Sequence, residues 1–556
     1  MQSSIHDAAA PAAPLLSRQR TVAAPGFNRW LVPPAALAIH LCIGMAYGFS
    51  VFWLPLSQAV GITEPVPCTP GGFLQELFAR GCDWKVSTLG WIYTLFFVLL
   101  GTSAAIWGHW LEHAGPRKAG VVSALCWGGG MLVAALGIHL HQFWLMLLGS
   151  GVIGGIGLGL GYISPVSTLV KWFPDRRGMA TGMAIMGFGG GAMIGSPLAS
   201  GLMAHFANAH DVGVAPTFVV MGLVYTVFML GGAFGYRVPA PGWSPLGWSP
   251  PPADAAANAM IARGHVHVRR IWGIPQFWLV WMVLCMNVSA GIGVLGIASP
   301  MLQEVFGGEL IGVHKPFGAL DGEQLKALAA AAAGFTALLS LFNIGGRFAW
   351  ASISDRIGRK LTYALFFVIG ALLYASIPSI AGAGNKLLFV AAFCVIVSMY
   401  GGGFATVPAY LADLFGTQMV GAIHGRLLTS WATAGIVGPV VINYMRDYQL
   451  SLGTPRDQVY NQTMYILVGF LLVGLVCNLL LRPVDRRHFM SEEELAREEK
   501  PLREAAAVVA QQAPAAATTA TASGGQRLAL LLAWLAVGLP IAWGVYRTLQ
   551  SVAGFL

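Results

Sequence analysis

Long apolar runs recur along this chain, and they constrain its fold more than any other feature of the sequence. A helix needs about 20 predominantly apolar residues to cross a bilayer. Runs of about that length occupy residues 30–57, 87–107, 118–138, 143–170, 178–204, 214–236, 276–302, 327–353, 361–381, 387–412, 420–445, 463–481 and 528–546. Because 56% of the residues are apolar and only 10% are charged, we predict an all-α polytopic membrane protein with thirteen spans.

The first twelve spans divide into two sets of six. A Pro/Gly/Ala-rich segment, residues 238–275, separates span six from span seven and is predicted to be a cytoplasmic linker. The sets repeat at a fixed offset, since Glu112 and Asp355 lie 243 positions apart, as do Gly115 and Gly358. We therefore expect two pseudo-symmetric six-helix halves. The predicted units are a disordered N-terminus (1–29), the two halves (30–237 and 276–482), a flexible cytoplasmic tail (483–527) and an accessory, lipid-facing last span (528–556).

Positive charges are distributed unevenly between the two sides of the predicted topology. With a cytoplasmic N-terminus, nineteen Lys and Arg residues fall on the inner side and seven in the outer loops between the first twelve spans. Inner loops carry the excess of Lys and Arg in membrane proteins, so we predict this orientation. The net charge of +9 follows the topology and forms no basic patch, so membrane lipid is expected as a partner and nucleic acid is not.

One arginine stands inside a predicted span. Arg347 lies eight residues before Asp355, where water must begin, which places it roughly 12 Å into the membrane. Lys118 and Arg426 also fall within the bounds given above but are assigned to the inner side, which leaves Arg347 as the one Lys or Arg buried within a predicted span. No acidic residue lies at comparable depth. A lone charge in hydrocarbon costs at least about 2.5 to 3.5 kcal/mol, so an anion is expected to visit it. The alternative is that Arg347 only bonds helix-end carbonyls or Asn343, one turn away.

Two charged turns follow spans two and eight. Residues 108–118 and 351–360 each carry an acid, a helix-breaking glycine and basic residues. The glycine lets the chain reverse, while the acid can cap a neighbouring helix N-terminus or pair with a basic residue opposite. We expect these turns to latch the cytoplasmic side shut. The residues assigned to this gate are Glu112, Asp355, Arg356, Arg359 and Lys360.

The second of these turns, ASISDRIGRK, resembles the G-x-x-x-D-R-x-G-R-K loop of the major facilitator superfamily. The first is degenerate, with His113 and Pro116 at basic positions, which predicts a weaker latch in that half. The stretches at residues 44–56, 157–182 and 425–439 are similar to the oxalate/formate antiporter family, which is close to the monocarboxylate porters. The likeness covers the twelve-span body and implies a major facilitator fold. The last span resembles a one-span small subunit that accompanies some family members.

The resemblance also implies an anion site. In that family an arginine on span eight, matching Arg347, holds the anion, and aromatic side chains matching Tyr47, Trp431 and Tyr162 wall the cavity. The oxalate carrier adds a lysine three residues after the tryptophan, where this chain has Ala434. Two cations suit a dianion, whereas one arginine balances a monoanion such as formate, lactate or pyruvate. A monocarboxylate preference over oxalate is therefore expected.

Three further side chains carry predictions of their own. His40 shares one face of span one with Tyr47, so it could bond the carboxylate or take a proton. The alternative is a neutral histidine that bonds a neighbouring helix. Cys68 and Cys82 both lie in the first outer loop, where they could form a disulfide or stay as free thiols.

Signatures of other functions are missing from the sequence or stand in the wrong context. There is no Walker loop and no His-Glu-x-x-His zinc motif. Residues 291–296 match G-x-G-x-x-G, but inside an apolar span they favour helix packing over a nucleotide site. The histidine pairs at residues 139/141 and 265/267 lack nearby Cys or carboxylate ligands. We therefore predict no metal, no cofactor and no enzymatic activity.

Together these features predict a secondary active transporter of small carboxylate anions, acting as a monomeric unit by alternating access. Exchange of one anion for another is favoured, because an empty carrier would have to reorient the bare charge of Arg347. One alternative is proton-coupled symport of a monocarboxylate, with His40 taking the proton. Another is a non-transporting carboxylate sensor that signals through the cytoplasmic tail.

Overall fold

The computed structural model describes residues 14–61, 66, 68, 73–249, 260–512 and 524–553. Within these residues thirteen helices are long and apolar enough to cross a membrane, which confirms the predicted fold class. We number them α1 to α13. Their bounds are Arg29–Leu56 (α1), Val86–Ala114 (α2), Pro116–His139 (α3), Phe143–Trp172 (α4), Arg177–Phe206 (α5), Val214–Gly235 (α6), Pro275–Phe306 (α7), Gly322–Ile357 (α8), Arg359–Gly382 (α9), Lys386–Phe415 (α10), Val420–Ser451 (α11), Asn461–Leu480 (α12) and Gly524–Ala553 (α13).

Helices α1–α6 and α7–α12 pack around a continuous apolar core. Where the two sets meet, α5 packs against α8 and α10, and α2 packs against α11. We call this contact the seam. Small residues allow close approach there: a Cβ on Gly182 would lie 2.9 Å from the Arg347 carbonyl oxygen, and one on Gly425 would lie 2.3 Å from that of Ala104. These two glycines are also 243 positions apart, so the sequence repeat marks the seam.

The two charged turns have the same backbone geometry. Gly115 joins α2 to α3 with φ of 85°, and Gly358 joins α8 to α9 with φ of 87°. An L-residue with a side chain rarely adopts this conformation, so glycine lets one helix end and the next begin within a single residue. Both turns lie at one end of the bundle, the charged-turn end. The opposite end carries the loop between α1 and α2 and is called the loop end.

Two spanning helices change their winding near the seam. In α1 the segment Gly44–Phe52 is a 3-10 helix, and in α11 the regular helix is interrupted at Leu428. A Cβ on Gly44 would lie 2.2 Å from the Phe188 carbonyl oxygen, so α1 and α5 touch through their backbones here. Tyr47 lies within the first irregular segment, and Trp431 follows the second. Such mid-helix departures often mark functional positions.

The last spanning helix packs against both halves. One face of α13 contacts α1 and α5 of the first half and α8 of the second. Val537 is buried against Leu37, Ala38 and Leu41 of α1. The opposite face is exposed and apolar, as expected for contact with lipid, and carries Leu528, Leu531, Leu532, Leu535 and Leu539. The prediction of an accessory, lipid-facing span therefore describes only one face of this helix.

The segment after α12 forms a helix of its own, Glu492–Gln512, at the charged-turn end. Its start is a reciprocal cap, since the Glu494 amide donates to Ser491 Oγ at 3.2 Å and the Ser491 amide donates to the Glu494 carboxylate at 3.1 Å. Glu498 then pairs with His113 of the first charged turn at 3.1 Å. The predicted flexible tail thus contains an ordered helix. Parts of the predicted N-terminus, linker and tail, residues 1–13, 250–259 and 513–523, lie outside the described residues.

Candidate functional site

Arg347 lies on α8 at the seam and is completely buried. Its Nε donates to Asn343 Oδ1 at 3.2 Å, and its Nη1 donates to the Ile185 carbonyl oxygen of α5 at 3.2 Å. In the described part of the chain no carboxylate lies within salt-bridge distance of it. The hydrogen bond to Asn343 is the contact that the sequence offered as an alternative to anion binding. It leaves the positive charge of Arg347 without a counter-charge.

Aromatic rings surround the guanidinium. Its central carbon lies 5.4 Å from the Phe404 ring centre and 6.0 Å from that of Tyr47, within the range of cation–π attraction. Trp431 bridges the two, with its ring centre 4.5 Å from Phe404 and 6.2 Å from Tyr47. The three rings come from α10, α1 and α11, so both halves contribute to this wall.

Tyr162 of α4 and Phe188 of α5 extend the aromatic wall. The Tyr162 ring centre lies 5.3 Å from Trp431 and 5.2 Å from Phe188, and Phe188 lies 5.0 Å from Tyr47. Four residues expected at the site, Arg347, Tyr47, Trp431 and Tyr162, are therefore neighbours in the structure. Their positions in the chain span nearly 400 residues, so only the packing of the helices brings them together.

Several buried hydrogen-bond donors around Arg347 have no acceptor of good geometry in the residues that the structure describes. They are Arg347 Nη2, Tyr47 Oη, Tyr162 Oη, Tyr400 Oη and Trp431 Nε1. The polar groups beside the Tyr47 hydroxyl belong to Tyr400, whose hydroxyl can donate or accept, and to Arg347, which can only donate. Buried polar groups normally find partners, and leaving one unpaired costs about 1 to 3 kcal/mol. A carboxylate has acceptor sites for several such donors at once.

His40 is buried beside this group, but its ring nitrogens face the backbone. Nδ1 lies 2.5 Å from the Ala184 carbonyl oxygen and Nε2 lies 3.2 Å from that of Tyr162. Its ring centre is 5.3 Å from the Tyr162 ring. This position matches the alternative in which His40 bonds neighbouring helices. A neutral imidazole has one N–H and donates to one of these carbonyl oxygens, whereas a protonated ring would donate to both.

Sequence reasoning overlooked Phe404, Phe188 and His424. Phe404 follows three glycines on α10 and precedes Pro408. Tyr162 has a similar context, after a glycine-rich run and before Pro165, so the internal repeat could have indicated Phe404 as a site residue. Phe188 stands in a run of small residues without such a signal. His424 of α11 is fully buried, 5.8 Å from the Tyr162 ring, and neither ring nitrogen has a partner among the described residues.

The charged-turn end is closed by carboxylates that cross the seam. Asp355 of α8 accepts hydrogen bonds from the amides of Gly178 and Met179 at 2.8 Å each, at the first turn of α5. Arg359 bonds Asp355 at 2.5 Å and also contacts Asp413 of α10 at 3.3 Å. The positive end of the α5 dipole and an ion pair thus both stabilise this carboxylate.

Glu112 makes the equivalent contact in the other direction. Its Oε1 accepts a hydrogen bond from the Gly421 amide at 2.9 Å, at the start of α11, and one from Ser167 at 3.0 Å. Its Oε2 pairs with Lys171 at 2.6 Å. The first charged turn was expected to form the weaker latch, yet its acid caps a helix of the opposite half as Asp355 does. Lys171 pairs with this acid as Arg359 pairs with Asp355.

Other residues of the expected gate lie outside these crossing contacts. Arg356 is exposed and enters none of the seam hydrogen bonds among the described residues. Lys360 donates to the carbonyl oxygens of Leu479 and Leu481 at 2.9 and 2.8 Å, at the end of α12, so it joins two helices of the same half. Of the assigned set, Glu112, Asp355 and Arg359 therefore form the closure.

Toward the loop end, a cavity of about 700 Å³ opens between the halves beside Tyr47. Its walls come from α1, α5, α7, α8 and α13, and most of the lining side chains are small or hydroxylated. Tyr47 is shared between this cavity and the aromatic wall around Arg347. The buried site is thus closed toward the charged turns and borders a polar cavity on its other side.

At the loop end the structure joins Cys68 and Cys82 by a disulfide. The Asp83 carboxylate next to it accepts hydrogen bonds from the amides of Val60 and Gly61 at 2.7 and 3.0 Å. Disulfides persist in oxidising compartments, in keeping with an outer location for this end.

Two six-helix halves meeting at a buried polar site are the architecture of a membrane carrier. The Major Facilitator Superfamily model matches residues 36–439, and the chain belongs to this superfamily of transporters. It is 25% identical over 479 residues to the oxalate:formate antiporter of Oxalobacter formigenes, covering 84% of this chain and 96% of the antiporter. It is 26% identical over 395 residues to apicoplast pyruvate carrier 1 of Toxoplasma gondii, covering 62% of this chain and 67% of the carrier.

Among solved structures, the proton:xylose symporter XylE superposes with a TM-score of 0.55 and covers 84% of this chain and 98% of the symporter. The identity is 12%, so this likeness shows the shared fold alone.

Proposed function

We propose that this protein exchanges small carboxylate anions across the cytoplasmic membrane of a bacterium by alternating access. The observation that carries the proposal is Arg347, a fully buried cation with an unpaired Nη2 and no carboxylate partner among the described residues. A guanidinium stays protonated at any physiological pH, so a mobile anion is the remaining way to neutralise it. Tyr47, Tyr162 and Trp431 supply donors and ring faces that enclose a small planar anion.

A monocarboxylate preference follows from the count of charges. Arg347 is the one cation among the side chains that form the buried site, and Ala434 occupies the position where the resemblance implies a second. One guanidinium neutralises one carboxylate, whereas a dianion would leave one negative charge uncompensated in a low-dielectric site. Formate, lactate and pyruvate fit this balance, and the likeness to an oxalate:formate antiporter and to a pyruvate carrier supports the same substrate class.

The proposed orientation places the charged-turn end in the cytoplasm, with the N-terminus on the same side. The structure then corresponds to a carrier closed inward by Glu112 and Asp355, with the polar cavity on the outer side. Rocking of the halves about the seam would break these caps and expose Arg347 to the cytoplasm. Because an empty site would carry a bare charge through this movement, bound anion lowers its barrier and exchange is favoured.

Proton symport through His40 is the second mechanism to test. A protonated imidazole has two N–H donors, and the two carbonyl oxygens beside the nitrogens of His40 can accept from both of them. His424 lies beside Tyr162, and neither of its nitrogens has an acceptor among the described residues that would stabilise the charged ring. Symport would therefore depend on His40 more than on His424.

The test is uptake of labelled formate, lactate and oxalate into proteoliposomes that are preloaded with unlabelled anion or left empty. Exchange predicts uptake only into preloaded vesicles. Uptake into empty vesicles that follows an imposed pH gradient would overturn exchange in favour of symport. Binding of carboxylate without flux under any gradient would contradict transport and support a sensor.

A further inference from the structure

The final turns of α13 form part of the wall of the polar cavity. The contributing side chains are Arg547, Thr548, Gln550 and Ser551. Facing them are residues of α5 and α8, the two helices that meet across the seam. Arg547 and Gln550 are exposed, whereas Thr548 between them is buried. The cavity wall therefore includes a helix beyond the twelve of the two halves.

Close packing holds this segment in place. Gly544, one turn before Thr548, lies so near α5 that a Cβ there would be 2.9 Å from Ile194 Cγ1 and 3.1 Å from Met193 Cε. Val537, two turns before Gly544, is buried, and so is Val552, one turn after Thr548. The buried positions follow helical spacing, so α13 presents one fixed face to the bundle. Arg547 lies beside that face, next to the buried Thr548.

Arg547 is the one charged side chain among the described residues that line the cavity. It forms no ion pair with any carboxylate of the described chain. The opposing wall supplies hydroxyl groups from Ser196, Thr336 and Ser340. The hydroxyls of Thr336 and Ser340 donate to the carbonyl oxygens of Ala332 and Thr336 on their own helix, at 3.2 and 3.0 Å. The charge of Arg547 is therefore the feature of this wall that attracts a carboxylate.

The cavity borders the buried site at Tyr47. Tyr47 lines the cavity, and its ring centre lies 6.0 Å from the Arg347 guanidinium carbon. Ser340 precedes Arg347 by seven residues on α8, which is two turns, or roughly 10 Å along the axis toward the loop end. The wall of the cavity on α8 therefore lies toward the loop end from the central arginine, on the same side of that helix.

We propose that Arg547 is a second anion-binding residue, forming an outer subsite for carboxylates at the cavity wall opposite Thr336 and Ser340. The inference rests on the proposed function and adds a step to it: anion binds first at Arg547 and then moves past Tyr47 to Arg347. Since the central site balances one negative charge, the outer subsite matters most for dianions. Oxalate recognition is thus expected to depend on Arg547 more than formate recognition does.

The test compares five full-length proteins: wild type, Arg547→Gln, Arg547→Lys, the control Arg527→Gln and the inactive reference Arg347→Gln. Arg527 is an exposed arginine at the opposite end of the same helix. Oxalate and formate binding is measured by tryptophan fluorescence in detergent, and exchange is measured in proteoliposomes of zwitterionic lipid. Arg547→Gln should weaken oxalate binding about tenfold and raise the KM, with a smaller effect on formate. Arg547→Lys should retain most of the affinity, and Arg527→Gln should match wild type.

The inference is overturned if Arg547→Gln binds and exchanges both anions as Arg527→Gln does, while Arg347→Gln is inactive. That result would leave the proposed function intact and assign Arg547 to anchoring at the lipid interface. It is also overturned if wild type neither binds nor exchanges carboxylates, in which case the proposed function fails with it. If Arg547→Gln is poorly folded by gel filtration, the comparison of Arg547→Lys with wild type decides, because loss of affinity with the charge retained contradicts a charge-based subsite.

Discussion

Asp355 of α8 accepts a 2.8 Å hydrogen bond from the amide of Gly178, the second residue of α5 in the other half. Glu112 of α2 accepts the equivalent bond at 2.9 Å from Gly421, the second residue of α11. Each half thus caps a helix of its opposite, and the two acids and two glycines are related by the same offset of 243 residues. The closure is symmetric although the sequences of the two turns are not.

Removing the charge of one cap should loosen the seam locally. Asp355→Asn is expected to increase hydrogen exchange at the Gly178 and Met179 amides by about tenfold or more, because a hydrogen bond to a charged group contributes roughly 1.5 to 3 kcal/mol. Glu112→Gln should do the same at Gly421. Exchange measured by mass spectrometry in detergent checks both.

The control for these caps is Asp485→Asn, an exposed acid that bonds the neighbouring Arg487 amide at 3.0 Å. It should leave exchange at the seam unchanged. Unaltered protection at Gly178 in Asp355→Asn would show that the carboxylate does not hold the closure.

Arg347→Gln should abolish carboxylate exchange while the protein remains folded and inserted. Glutamine keeps hydrogen-bonding capacity but supplies no positive charge to a buried anion. Arg347→Lys should retain little activity, because an ammonium cannot reproduce the planar contacts to Asn343 and the Ile185 carbonyl. Initial rates in proteoliposomes and gel-filtration profiles provide the measurement. Exchange at the wild-type rate in Arg347→Gln would remove the central proposal.

A lysine placed at Ala434 should shift selectivity toward a dianion. Ala434 is fully buried on α11, three residues after Trp431, at the position where the family resemblance implies a second cation. We expect Ala434→Lys to raise the oxalate-to-formate ratio of kcat/KM about tenfold, equivalent to roughly 1.4 kcal/mol. Ala434→Met controls for the added bulk without charge. Equal ratios in the lysine and methionine variants would contradict the charge argument.

The loop between α1 and α2 should lose stability in acid through Glu76. Burial by itself raises the pKa of Glu76, but hydrogen bonds from Lys85 and Thr88 outweigh it and hold the pKa below its usual value of 4.5. The carboxylate therefore adds stability that is fully present above about pH 4.5 and is lost as the pH falls through the lowered pKa.

Glu76→Gln should accordingly lower the free energy of unfolding by about 1 to 3 kcal/mol at neutral pH. The difference from wild type should shrink as the pH falls below the usual carboxyl range. Thermal unfolding at several pH values measures it, with Glu323→Gln as an exposed control. A difference that grows in acid would mean that the ionised form of Glu76 does not stabilise the loop.

Features that depend on neighbouring residues could be predicted from the sequence alone. Apolar runs of spanning length, the glycine turns at Gly115 and Gly358, and the cap at Ser491 each involve residues a few positions apart. The isolation of Arg347 could also be predicted, because it follows from the absence of acidic residues at the same depth in any span. The repeat of 243 residues indicated the positions that meet at the seam. Which residues contact each other there was given only by the structure.

Tertiary packing decided everything that joins distant parts of the chain. It brought Phe188 and Phe404 to Arg347, placed the nitrogens of His40 against backbone carbonyls, and gave Glu112 a cation from another helix. It also seated α13 across the seam with Arg547 at the cavity. A periodic apolar pattern specifies that a helix is buried in membrane or protein, but it carries no information about which helix lies beside it. The sequence therefore determined the spans and the uncompensated charge, and the packing of the helices determined the site built around it.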